Sequence, residues 1–289
     1  MFFHNKELAY TVRVDKPNPV FGRLLQQAIG GPEGEMRVMN QYLFQAWGTR
    51  GPAKYRDMLL HTGTEEIGHI EVLATAVAMN MEGAPEEMID DVVTNPVVAA
   101  RLGGLEPRHI LSTGLAATPA DANGVPFSAA CLDIGGNLLA NLHANVAAEA
   151  IGRTLAARLR ALTDDPGMKD LLSYLIARDT MHQQQWLAAI DELNPEGRAV
   201  PVEVADEGDY AQYSHAFLTH ADVTPPEDAT WAHGTARDGQ PFSILEPLAP
   251  AGQEPELQPV PPYVHAGSEA TSNGGSTGLF GKVKAAVAP

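Results

Sequence analysis

The chain has one cysteine, Cys131, in 289 residues. An intrachain disulfide, a thiolate metal cluster and a Cys-x-x-Cys redox pair are therefore excluded, and nothing calls for an oxidising compartment. Positive charge is also scarce: 19 Lys and Arg against 36 Asp and Glu leave a net charge of −17. That balance argues against nucleic acid or an anionic membrane as a partner. No run of about 18 apolar residues is present, so no membrane span is expected. The opening Met1-Phe2-Phe3-His4-Asn5 lacks the basic segment and apolar core of a signal peptide. The expectation is a soluble, cytoplasmic protein, and 44% apolar content at this length supports a substantial core.

What the sequence does have is helical periodicity. Leu24, Leu25, Ile29, Met36, Met39, Leu43 and Phe44 predict a helix over about 20–49, with a weak point at Gly30-Gly31-Pro32 that splits or kinks it. A second helix starts at Pro52 and runs to about Met81; a third runs from Asp133 or Gly136 to Leu162. Asp165 caps a fourth, with Pro166 in its first turn, that ends near Leu193. Between the second and third lie a short helix near 85–100 and a run of glycine and proline turn signals. A connection that long is unusual in a compact domain and fits the crossover some four-helix bundles need. The prediction is an all-α four-helix bundle over 20–194, preceded by an extended arm, 1–19. A mostly irregular C-terminal tail follows: a wrap over 195–265 with short strands or turns near 199–204 and 242–245, then a flexible segment, 266–289, with a basic helical turn near 279–287.

Charged residues interrupt the apolar stripes at regular places. Glu66 and His69 stand three apart on the second helix, ~60° around and ~4.5 Å along its axis, so both can reach one ion. Glu35 lies 31 residues before Glu66, on the preceding helix; Glu149 lies 30 residues before Asp179, and His182 follows Asp179 by three. The chain thus reads Glu…Glu-x-x-His, then Glu…Asp-x-x-His. Such a duplicated layout can build a dinuclear metal site in a bundle core, and a carboxylate on an apolar stripe is costly unless paired or metal-bound. Three glutamates and two histidines suit manganese or iron, and five ligands around two ions leave positions open for substrate. Tyr42, seven residues after Glu35, is either a core aromatic with a bonded hydroxyl or a donor to Glu35. Asn145 reads as a capping or network residue and His143 as structural or exposed.

The layout of Glu35, Glu66-x-x-His69, Glu149 and Asp179-x-x-His182, with the segment Asp133–Arg153, resembles the manganese catalases of the ferritin-like superfamily over roughly residues 1–265. The resemblance implies a ferritin-like bundle holding two manganese ions per subunit, cycling between Mn(II) and Mn(III) pairs to convert hydrogen peroxide to water and O2. It assigns Glu35 and His69 to one ion, Glu149 and His182 to the other, and Glu66 to a bridge. It also implies a hexamer held by arms and tails. Asp57 matches a calcium-ligand position, but His61 stands where a second carboxylate belongs, which weighs against calcium.

The chain departs from that family pattern at Asp179, where a glutamate is expected, and at Ala148 and Ala156, where a basic residue is expected. Asp179 is read as a proton relay with a shorter reach, and Arg153 as either a substitute cation or an exposed helix arginine. Two other readings stand beside the catalase: a ferritin-like storage or coat protein with low turnover, and a di-iron peroxidase. Asp179 and the absence of electron-delivering cysteines weigh against the peroxidase.

Overall fold

The computed structural model describes residues 6–82, 108, 111–197, 208–218 and 224–245. These fall into two compact units, one containing 6–82, 108, 111–197, 208–211 and 235–241, the other 212–218, 224–234 and 242–245. The helix expected near 85–100, the strand near 199–204 and the whole segment 266–289 lie outside the described residues.

The first unit is built from α1 (Pro19–Gly30), α2 (Glu35–Gly48), α3 (Ala53–Met81), α4 (Leu138–Ala161) and α5 (Pro166–Leu193). The first expected helix is split rather than kinked. A Cβ on Gly30 would sit 2.4 Å from the backbone nitrogen of Ala120, and one on Gly34 2.6 Å from the carbonyl of Ala28. Only glycine allows the backbone to pass this closely, and the break makes Glu35 the first residue of a new helix, where the dipole favours a carboxylate. The other boundaries follow the local chemistry. The Asn18 side chain caps α1, Asn137 caps α4 and Asp165 caps α5, each accepting a backbone N–H three residues on. Helix α4 starts at Leu138 rather than nearer Asp133, because Gly136 takes φ +70° and Asn137 then supplies the cap.

Helices α1 and α2 both pack on α3, and α4 pairs with α5. The packing leaves two apolar clusters. One gathers Phe21, Leu25, Ile29, Leu73, Val77, Leu159, Leu171 and Leu172. The other gathers Val38, Tyr42, Leu59, Leu142, Trp186 and Ile190. The charged residues fall in sequence between the two: Glu35 between Ile29 of α1 and Val38 of α2, Glu66 between Leu59 and Val72 on α3, Glu149 between Ala148 and Ala156 on α4, His182 between Leu175 and Trp186 on α5. The bundle therefore carries a polar layer sandwiched by hydrocarbon.

The described part of the crossover is stitched down by buried amides. Gln26 donates to the carbonyls of Thr118 (2.8 Å) and Ala120 (2.9 Å) and accepts from the Thr118 N–H. Gln41 accepts from the Asp133 N–H at 3.0 Å, Gln45 donates to the Asp133 carbonyl at 2.8 Å, and both glutamines donate to Asn145. Asn145 is thus the network residue its position suggested. The arm packs on its own bundle: Tyr10, Val12 and Val14 lie on the first cluster, and Tyr10 stacks on Tyr174 at 4.7 Å.

The second unit pairs β1 (Ala216–Leu218) with β2 (Ser243–Leu245) in parallel, Phe217 opposite Ile244. A one-turn helix, α6 (Thr230–His233), sets Trp231 edge-on to Phe217 at 5.3 Å. The strand expected near 242–245 is therefore present.

Candidate metal centre

Helix α3 supplies the centre of the polar layer. Glu66 is 1% exposed and His69 fully buried. The His69 Nδ1 lies 2.7 Å from Glu66 Oε2, and Nδ1 of His182 lies 3.0 Å from Glu66 Oε1. Glu35 reaches within 3.8 Å of His69 Nδ1, and Glu149 within 3.6 Å of His182 Nδ1. The side chains form two donor groups, Glu35–Glu66–His69 and Glu66–Glu149–His182, each with ligand atoms within 4.8 Å of one another. Glu66 belongs to both.

The donor set is incomplete by itself. Both oxygens of Glu66 and all four ring nitrogens of His69 and His182 are buried without a hydrogen-bond partner. Buried polar atoms are normally paired, and the four that face one another, the two Glu66 oxygens and the two Nδ1 atoms, need something between them. Donors of one octahedral ion at about 2.1 Å stand roughly 3 Å apart, which is the Nδ1-to-Glu66 spacing here. Hard divalent cations fit this set of oxygens and imidazoles, and either donor group could hold one.

Electrostatics agree. Burial and the neighbouring Glu66 push Glu149 up to about 8, and burial with the facing Glu35 and Glu149 pushes Asp179 up to about 9. Burial likewise raises Glu35. Burial works against the charge of Glu66, but the imidazoles of His182 and His69 outweigh it and hold the carboxyl at about 2. Burial lowers His182, yet Glu65 and Glu66 lift it to about 10; the same balance with Glu35, Glu65 and Glu66 raises His69. A cluster with this much buried negative charge holds protons unless a cation replaces them.

Tyr42 is fully buried, but its hydroxyl donates to Glu149 Oε1 at 2.5 Å rather than to Glu35. The Trp186 indole N–H approaches the same oxygen at 3.4 Å. Asp179 is 6% exposed and faces a cavity of about 20 Å3, counted as space open to the centre of a water-sized molecule. Glu35, Glu149, Ala148, Gly152, Ala156, Leu172 and Leu175 also line it. No basic residue is among its lining residues, and no residue of the described crossover covers it. Arg153 instead donates to Gln183 at 2.5 Å outside that lining, half-buried rather than exposed. Asp57 is exposed on α3 and belongs to neither donor group, and His143 is likewise in neither.

Sequence reasoning passed over Glu65. Its carboxylate stands 3.2 Å from Nε2 of His182 and 3.6 Å from Nε2 of His69, and Arg178 donates to it at 2.7 and 3.3 Å. The one available signal was its position four residues before His69.

The model of the family described as manganese containing catalase matches residues 1–274. A manganese catalase of Bacillus subtilis (strain 168) is 43% identical over 266 residues, spanning 92% of this chain and 97% of that protein. One from Lactiplantibacillus plantarum is 34% identical over 266 residues, with 92% and 98% covered. The crystal structure of KatB, a manganese catalase from Anabaena, superposes with a TM-score of 0.67 at 25% identity, over 85% of this chain and 99% of that one.

Proposed function

The chain belongs to the manganese catalase family, and from that premise we propose that it disproportionates hydrogen peroxide to water and O2 at two manganese ions. The observation that carries the reading is the pair of donor groups sharing Glu66, with its oxygens and both Nδ1 atoms left unsatisfied. Glu35 and His69 would hold one ion, Glu149 and His182 the other, with Glu66 bridging. Bound manganese supplies the redox chemistry: two one-electron centres together take two electrons from one peroxide and return them to another.

The chain's own residues do the rest. The Tyr42 hydroxyl fixes the orientation of Glu149. The small cavity beside Glu35 and Glu149 admits a peroxide and little else, about one or two water-sized molecules. The apolar side chains of Leu172 and Leu175 keep bulk water off the carboxylates. Asp179 lines the same cavity as Glu35 and Glu149, where it can take the proton that leaves one peroxide and give it to the oxygen released from the next. Neither a storage protein nor a peroxidase is favoured.

Two further expectations from the family belong to this proposal: assembly into a hexamer, and a bundle over 20–194 that carries the chemistry, with the segments before and after it as accessories. Calcium at Asp57 is not part of it. The test is oxygen release from hydrogen peroxide by manganese-loaded protein, with no reductant present. One O2 per two peroxides, lost in Glu66→Ala, is the expected result. No O2 from protein shown to hold two manganese ions per chain would overturn the reading.

A further inference from the structure

Resting on the ligand assignment above, we propose that Glu65 is a positioning residue that sets the tautomer of both histidines at once, and that Arg178 decides which half of the centre depends on it most.

The two imidazole rings lie nearly parallel, 5.7 Å apart with 23° between their planes. Their Nδ1 atoms face Glu66. Both Nε2 atoms turn the other way, and one carboxylate faces both: Glu65 Oε1 toward His69 and Oε2 toward His182. An ionised carboxylate only accepts. At 3.2 and 3.6 Å the contacts are ion-pair separations rather than formed hydrogen bonds, and the facing negative charge favours the ring proton on each Nε2, which leaves the Nδ1 lone pair free for a cation. The centre therefore has its two histidines oriented by one side chain, not by one partner each. Glu65 is itself held by Arg178 from α5, whose Nε donates to Oε1 at 2.7 Å while Nη2 reaches Oε2 at 3.3 Å. The shorter bond falls on the oxygen that faces His69.

Glutamine at this position separates the two halves. Its side chain has the same shape but one acceptor oxygen and one NH2 donor. Arg178 donates at the Oε1 position and so fixes the amide oxygen there, on the His69 side. The NH2 must then occupy the Oε2 position, 3.2 Å from Nε2 of His182. That nitrogen has to become the acceptor, which moves the ring proton to Nδ1 and points it at Glu66 and Glu149, where a metal ion would bind. The His69 half keeps its tautomer and the His182 half loses it.

The experiment is metal counting on Glu65→Gln equilibrated with buffered Mn2+, read together with the electron paramagnetic resonance spectrum. Wild-type protein is expected to hold two ions with the spectrum of a coupled pair. Glu65→Gln should hold one at the same free Mn2+, with the six-line spectrum of an isolated Mn(II) and an unchanged melting temperature of the chelator-stripped form. Affinity at the second position should fall about 10- to 100-fold, the usual loss when a ligand's outer partner is removed. Adding Glu149→Ala to Glu65→Gln should leave the remaining ion in place, and adding Glu35→Ala should remove it. Glu65→Ala, which has neither donor nor acceptor, should weaken both positions alike. Two tightly held ions in Glu65→Gln, or the opposite pattern in the double variants, would overturn the proposal while leaving the ligand assignment intact. Fewer than two ions in wild type would overturn the assignment and this inference with it.

Discussion

Tyr42 of α2 donates its hydroxyl to Glu149 of α4, 107 residues away, across 2.5 Å of buried space. The bond joins the two halves of the bundle at the edge of the donor cluster and fixes a carboxylate that has no second donor nearer than Trp186 at 3.4 Å.

Tyr42→Phe removes that donor and almost no volume. The lost bond is to a charged acceptor, worth about 1.5–3 kcal/mol. Its loss should appear in the metal rather than in the fold, because the ring still packs against Trp186, 5.0 Å away between centroids. We expect manganese affinity to fall about 10-fold or more with little change in the melting temperature of the stripped protein. Competition with a metal-sensitive chelator measures it. Unchanged affinity would mean that Glu149 is held by its backbone and Trp186 alone.

Asp179→Asn tests the proton relay. The amide keeps the shape of the side chain in the cavity but cannot carry a proton between the two half-reactions. Loss of a positioned acid–base group costs about 10²-fold or more. Turnover should fall by that factor at unchanged manganese content. Full turnover with both ions present would assign the proton to another group, and Glu33, Glu35 and Glu149 are the other acidic residues lining the cavity.

The five proposed ligands were legible because charge on an apolar stripe is expensive, so Glu35, Glu66 and Glu149 stood out against Met39, Leu73 and Leu142. Glu65 carried no such mark. A second glutamate beside Glu66 reads as a solvated helix face, and its meaning depends on Arg178, which arrives from 113 residues further along the chain. Tyr42 was legible as buried but not in its partner. Seven residues separate it from Glu35, roughly 10 Å along the axis, so a donor at that height meets the facing helix instead. The Gly30–Gly34 break was visible in composition, but whether it kinked or split the helix depended on how closely Ala120 passes Gly30.

Removing the metal should invert the pH dependence of stability. In chelator-stripped protein the carboxyls of Glu35, Glu149 and Asp179 and the rings of His69 and His182 all hold protons more tightly than in the unfolded chain. Between about pH 5 and 9 the folded state therefore binds more protons than the unfolded one, and its stability falls as pH rises. Glu66 and Glu65, held below their ordinary values, act oppositely but only below about pH 4. The stripped protein should melt progressively lower from pH 5 to 9. The loaded protein should not, because metal binding releases those protons and strengthens with pH. Melting scans across this range, with and without manganese, check both statements. Parallel curves would show that the buried carboxyls do not control stability.

Asp165 does two jobs with its two oxygens, and a single substitution separates them. Oδ1 caps α5 by accepting from the Met168 N–H at 3.0 Å. Oδ2 accepts from the N–H groups of Asp15 and Lys16 at 2.8 and 2.9 Å and so ties the arm to the bundle. Burial works against its charge, but the backbone N–H groups of Lys16, Met168, Asp15 and Gly167 outweigh it and hold the carboxyl below its ordinary value. Its contribution is thus present above about pH 4 and lost as pH falls through the lowered value. Asparagine caps a helix as well as aspartate does, so Asp165→Asn should preserve α5. Its NH2, however, would face two N–H donors, and the arm should detach at a cost of about 1 kcal/mol per unsatisfied bond. The expected readout is rapid proteolysis within residues 6–18 in the variant, and the loss of the acid-dependent release expected of wild type as pH falls through the lowered Asp165 value. Equal protection in both proteins would mean that the stacking of Tyr10 on Tyr174 and the apolar contacts of Val12 and Val14 hold the arm without Asp165.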